Sequence, residues 1–187
     1  FYPYCMEEEV RLRDYWFMEN FTRFWLAIIA LEGDILFHFG NKDIRLSAGE
    51  ILFIPKNTGY SFENGESESS HKVVLEVIGQ NLNSDLETLG LNRLISVRSD
   101  RCEVLADQIR AIGDLIHLQQ PSAVPELLGR TYRILVEFSD LLPEKKRTNN
   151  LLLRAQMLLE SNFETRLTLP QLARKLNSRE EKINRLF

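Results

Sequence analysis

Apolar and polar positions change period twice along the chain. From Phe1 to about Gly79 the apolar residues fall in short β-forming runs separated by turn residues, which predicts strands. Val10 to Phe17 mixes β-formers with charges, and Phe24 to Leu31 is a continuous apolar run that reads as a buried strand. Asp34 to Phe39 and Lys42 to Leu46 join through Gly40-Asn41, a hairpin signal. Glu50 to Ile54 stops at Pro55, Asn57 to Gly59 makes a turn, and Lys72 to Ile78 closes the series. Six or seven short strands spaced by turns predict a sandwich or small barrel.

From Leu86 onward the period becomes helical. Leu105, Ile109, Ile112 and Ile116 recur at spacings of four, three and four within Arg101 to Gln120. Leu128, Tyr132, Leu135 and Leu142 repeat the pattern within Pro125 to Leu142, after a break at Gln119-Gln120-Pro121-Ser122. Val104 and Leu115 widen the first stripe, as expected of a helix that meets the barrel as well as a partner. Two uses of these helices stay open: a dimer seam, or a hairpin packed within one chain. Lys145 to Asn150 is polar and suits a hinge, and Leu151 to Phe163 reads as a supporting helix.

The end of the chain, LTLPQLARKLNSREEKINRLF from Leu167 to Phe187, carries the sharpest local signals. Thr168 and Gln171 form a capping box, with Pro170 in the first turn, where its missing N–H costs nothing. Leu169, Leu172, Ala173 and Leu176 mark one helix, Asn177-Ser178 a tight turn, and Ile183, Leu186 and Phe187 the apolar stripe of a second helix. Helix, short turn and helix with a polar outer face is the helix-turn-helix pattern, whose second helix enters the major groove.

Taken together, RAQMLLESNF, LTLPQLARKLN and INRLF make Leu153 to Phe187 resemble the first half of the DNA-binding domain of AraC/XylS-type transcription regulators. The chain departs from that pattern at Ser178, where an apolar residue is usual, and at Arg179-Glu180, where a Ser-Pro or Ser-Arg start is usual. Family members carry a second helix-turn-helix, so the chain is expected to be a C-terminally incomplete piece of a longer protein. The Gly33-Asp34 turn, the LSAGE step and ILFIP followed by TGYSF look like a cupin-type jelly roll, the usual sensor of that family. The expected fold class is therefore α+β. The expected division is a cupin-like barrel over 1–80, a helical linker over 81–144 and a partial helix-turn-helix over 145–187. The resemblance implies that the linker helices mediate a homodimer. It also places Glu181, Asn184 and Arg185 toward base edges, while Arg174, Lys175 and Lys182 meet phosphate. Side-chain chemistry agrees, since Arg pairs with guanine, Asn with adenine, and Glu accepts from the cytosine amino group.

Charge sharpens this division. The formal net charge is −4, but residues 1–144 hold 13 Lys+Arg against 23 Asp+Glu, and residues 145–187 hold 10 against 4. A basic end on an acidic body suits a nucleic-acid module joined to one that does not bind nucleic acid. Apolar content of 44% and charged content of 27% are those of an ordinary globular protein, and no apolar run is long enough for a transmembrane helix. Cys5 and Cys102 lack metal or redox spacing and read as unpaired thiols, so the expected location is the cytoplasm.

Candidate chemistry in the barrel is sparse. Metal-dependent cupins need two closely spaced His and a Glu, then a further His. Here the first motif offers only His38, the second is followed by Tyr60, and His71 and His117 lie elsewhere, so neither a metal nor another cofactor is expected. No nucleophile triad, phosphate-binding loop or paired-carboxylate motif points to an enzyme. Trp16, Trp25, His38 and Tyr60 are the candidate lining of an effector pocket, with Phe24, Phe37, Arg11, Arg13 and Arg23 as further candidates. The leading expectation is a sequence-specific DNA-binding regulator controlled by a small-molecule effector of unknown identity. The alternatives are a metal-free cupin ligand-binding module or cupin enzyme with a helical tail, and a shortened regulator that dimerises without binding DNA.

Overall fold

In the computed structural model, which describes residues 1–143, 168–176 and 178–184, the strand-forming half builds two antiparallel sheets. The large sheet has the order β1-β8-β3-β6-β9, with β1 Tyr2–Leu12, β3 Trp25–Glu32, β6 Glu50–Ile54, β8 Ser69–Ile78 and β9 Ile95–Arg98. The small sheet has the order β2-β7-β4-β5, with β2 Trp16–Glu19, β4 Asp34–Phe39, β5 Lys42–Ser47 and β7 Tyr60–Asn64. The class is α+β, as expected.

Local signals placed several of these elements. The Gly40-Asn41 loop joins β4 to β5 with Phe39 opposite Lys42, and Gly40 takes the positive φ of +58° that a tight hairpin favours. β6 stops before Pro55, which has no N–H to give to a ladder. At Gly33, with φ of +69°, the chain crosses between sheets, and a Cβ there would run into the Ser69 carbonyl. The expected Val10 to Phe17 strand is instead two. β1 ends at Leu12, Tyr15 N–H donates to the Leu12 carbonyl at 3.0 Å, and β2 starts in the other sheet.

Helices α2 Cys102–Leu118 and α3 Val124–Asp140 cover the outer face of the large sheet, so that sheet is buried on both sides. Trp25, Ala27 and Ile29 face the helices, whereas Leu26, Ile28 and Ala30 face the small sheet, which explains the unbroken apolar run of β3. Leu105, Ile109 and Ile112 are fully buried in the helix-facing core, with Leu127, Ile134, Leu135 and Phe138. Of the expected α3 stripe Leu135 and Leu142 are buried as expected, whereas Leu128 and Tyr132 are half-buried and Leu127 takes the buried place in the first turns. Val104 is exposed rather than packed on the barrel. A dimer seam built on Ile109 is corrected by the same burial, because this side chain is 0% exposed within one chain.

The large sheet and its helices also run past residue 80. Helix α1 Leu82–Thr88 adds Leu82 and Leu86 to the helix-facing core, and β9 pairs with β6 from Glu50↔Arg98 to Phe53↔Ile95. Residues of 1–80 and 81–142 therefore share one core. Trp25 fixes the two ranges together by donating from Nε1 to the Leu91 carbonyl at 3.0 Å. Among the described residues no helix is long and apolar enough to cross a membrane.

The remaining elements are α4 Leu169–Lys175 and α5 Glu180–Asn184, which share a small cluster of Leu172, Ala173, Leu176 and Ile183. The expected hinge over 145–150, the supporting helix over 151–163, and Arg185, Leu186 and Phe187 lie outside the described residues, as does the side chain of Lys182.

Candidate functional site

Between the sheets, at the end where β1, β2, β7 and β8 meet, lies a cavity of about 420 Å³. Strand alternation decides what lines it. On β8, Lys72, Val74 and Glu76 point toward the small sheet while Val73, Leu75 and Val77 point to the helices. On β1, Glu7, Glu9 and Arg11 line the cavity, whereas Met6 and Glu8 face α2. Phe17, Phe24, Tyr60 and Phe62 supply aromatic walls.

The cavity has two electrostatic poles. At one, Lys72, 4% exposed, pairs through Nζ with Glu9 Oε2 at 2.6 Å and stands 4.1 Å above the Phe62 ring. Arg11 also pairs with Glu9, at 2.6 Å, and its guanidinium lies 4.3 Å above the Tyr15 ring. Burial works to raise the Glu9 carboxyl, but Arg11 and Lys72 outweigh it and hold it below its usual range. Burial pulls the Lys72 ammonium down despite Glu9. At the other pole, burial together with the charges of Glu7 and Glu19 pushes the Glu76 carboxyl up to about 7. Burial and the charges of Glu76, Glu19 and Glu7 also push the Tyr60 hydroxyl well above its usual range.

Of the side chains expected to line a pocket, Tyr60, Phe24, Arg11 and Arg23 do so. Trp16 does not: it is 58% exposed beside Met18, because Phe17 and Glu19 take the inward positions of β2. Trp25 also faces away from the cavity, stacked on Phe53 at a centroid distance of 5.7 Å and tilted against Phe138 at 6.4 Å. His38 sits on the outer face of the small sheet, where its Nδ1 meets Asp43 at 2.8 Å, and this bond raises its pKa. Phe37 is sealed in the core between the sheets, and Arg13 is exposed away from the cavity. The histidines do not converge: His71 pairs with Glu8 at 2.8 Å and His117 lies in the last turn of α2. Sequence reading missed Glu7, Glu9, Glu19, Lys72 and Glu76. The usable signal was the charged pair Lys72 and Glu76, set four residues apart in an otherwise apolar strand.

On the opposite face of β1, Arg110 of α2 grips Glu8 through Nη2 and Nε at 2.6 and 3.0 Å. Gly113 lets the helix approach so closely that a Cβ there would stand 2.5 Å from Met6 Cε. One strand therefore carries cavity residues on one face and the helix contact on the other.

In the helix pair, the Thr168 N–H donates to Gln171 Oε1 at 2.9 Å, one arm of the expected capping box. The turn is closed by Ser178 N–H donating to the Ala173 carbonyl at 2.9 Å. Ile183 is fully buried, which leaves Glu181 and Asn184 exposed on the outer face of α5. Arg174 and Lys175 are exposed at the end of α4.

Neither a known protein-family profile nor a curated protein matches the chain. Among solved structures it is similar to the AraC-like transcriptional activator CuxR, with a TM-score of 0.47 and 15% identity over 98% of this chain and 67% of that one. It is similar to fatty-acid-bound ToxT from Vibrio cholerae, with a TM-score of 0.47 and 12% identity over 98% and 72% of the two chains. A cupin of double-stranded β-helix fold from Methanocaldococcus jannaschii matches with a TM-score of 0.37 and 15% identity over 38% and 67%. At TM-scores below 0.5 these likenesses carry no functional argument.

Proposed function

We propose that the protein is a sequence-specific DNA-binding transcription regulator of the cytoplasm, in which the cavity between the sheets binds a small-molecule effector. The observation that carries this reading is the helix pair α4 and α5. It buries Leu172, Ala173, Leu176 and Ile183 against one another and turns Glu181, Asn184, Arg174 and Lys175 outward. These are side chains suited to base edges and to phosphates, and in a helix-turn-helix the second helix, here α5, would enter the major groove. Arg185 and Lys182 complete the proposed contacts, the first to a base and the second to phosphate. The cavity supports effector control because β1 joins its lining directly to α2 through Glu8 and Arg110. Homodimerisation through the helices of residues 101–142 would use their outer faces, since the inner ones are filled. The same proposal sets a DNA-binding part over 145–187 apart from a body in which the barrel of 1–80 and the elements that follow share one core, and the absence of catalysis belongs to it too.

Selection of bound duplexes from a random-sequence pool by the full-length protein tests the reading. A reproducibly enriched motif is the expected result. Equal recovery of all sequences, at salt low enough to permit binding, would overturn it.

A further inference from the structure

We infer that the effector of this cavity is a small organic cation, an aromatic or aliphatic amine whose ammonium is received by Glu7, Glu19 and Glu76 and whose apolar body lies against Phe17, Phe24 and Tyr60. The inference rests on the cavity being the effector site.

The two poles differ in what they still need. Lys72 and Arg11 are already paired with Glu9, and each also lies over an aromatic ring. An incoming anion would have to compete with Glu9 for both. Arg23, the remaining cation of the lining, is exposed at the mouth. By contrast, Glu7, Glu19 and Glu76 form no hydrogen bond or ion pair among the described residues, yet they stand close enough for Glu7 and Glu19 to disfavour the charged form of Glu76. Lys72 and Arg11 reach Glu7 only through space, and neither acts on Glu19 or Glu76. Lys72 is remote from Glu76. It is four residues from Glu76 along an extended strand, or about 13 Å at ~3.3 Å per residue.

Glu19 and Glu76 are half-buried beside aromatic rings and Glu7 stands exposed next to them, so a cation that enters is stabilised by all three, and the gain at the half-buried pair exceeds that of the same pair in water. The aromatic walls select among cations. Ring faces attract an ammonium and accept the hydrocarbon attached to it, so an organic amine fits where a hydrated inorganic ion does not. The cavity volume of about 420 Å³ suits a molecule of modest size rather than a polymer.

The test is a calorimetric titration of the full-length protein with three ligands of one shape and different charge: 2-phenylethylamine, 2-phenylethanol and phenylacetate. The amine is expected to bind at least about tenfold more tightly than the alcohol, with phenylacetate weakest. Glu76→Gln, and separately Glu19→Gln, should each weaken the amine several-fold and leave the alcohol unchanged, in variants shown by thermal unfolding to be folded. Phenylacetate binding as tightly as the amine, or the alcohol binding equally well, would overturn the cation inference while leaving the cavity as a ligand site. Failure of all three to bind at about 10 mM, with no heat and no thermal shift, would overturn the cavity reading as well.

Discussion

Replacing Glu76 by Gln should stabilise the protein at alkaline pH and leave it unchanged in acid. The amide keeps the shape of the protonated carboxyl but removes the charge that burial, Glu7 and Glu19 oppose. The folded carboxyl titrates at about 7 against an ordinary 4.5. Because the folded value is the higher one, stability linked to this group is fully present below the unfolded value and is lost as the pH rises through about 7. With about 1.4 kcal/mol per pKa unit, the shift amounts to ~3 kcal/mol, and solvent around a half-buried side chain brings the expected effect to about 1–3 kcal/mol. Urea unfolding followed by the emission of buried Trp25 measures it. Wild type and Glu76→Gln should coincide near about pH 4, and the variant should be the more stable by that margin near about pH 8. Equal stability at both pH values would refute the crowding of Glu76 by Glu7 and Glu19.

Other expectations follow from the same packing. Glu9→Ala strands the buried Lys72 ammonium and should cost about 3–5 kcal/mol in chemical denaturation, whereas Lys72→Met with Glu9→Leu together should cost far less. Arg110 holds the Glu8 carboxyl down at about 2, against the opposing pull of burial and with help from His71. Glu8 is 33% exposed, so Arg110→Ala should cost only about 0.5–1 kcal/mol at neutral pH. That loss should fade as the pH falls from the unfolded carboxyl value through about 2, where the wild type loses the pair too. Ile109→Ala should cost about 2–5 kcal/mol with no change in sedimentation, because its side chain is buried within one chain; a folded variant of altered oligomeric size would contradict this.

What could be read from the sequence was what local chemistry decides. The Gly40-Asn41 hairpin, the stop at Pro55 and the Thr168–Gln171 capping box each depend on a few adjacent residues, and each stands where the residues placed it. Strand parity is different. Because helices cover the outer face of the large sheet, Trp25 and Leu26 are both buried on opposite faces, and no alternation tells which of them meets a cavity. The expected lining accordingly included Trp25, which packs under the helices, and Trp16, which is exposed. β9 is four residues long and forms only by pairing with β6, a long-range choice without a local pattern. The cavity charges were overlooked for a related reason. Glu7 and Glu9 look like part of a solvated acidic run until β1 is laid against β8, where Lys72 and Glu76 project from the same side.

The central claim, that α5 reads base sequence, is tested most directly by fluorescence anisotropy of the full-length protein against its selected duplex and every single-base variant of it. Asn184→Ala and Arg174→Ala are compared with wild type. Asn184→Ala should lose about 1–3 kcal/mol of preference at one base pair and keep its preferences elsewhere. Arg174→Ala should weaken all duplexes alike and reduce the salt dependence by about one phosphate contact. Unchanged preference at every position in Asn184→Ala, in a protein that still binds its selected duplex tightly, would contradict the account.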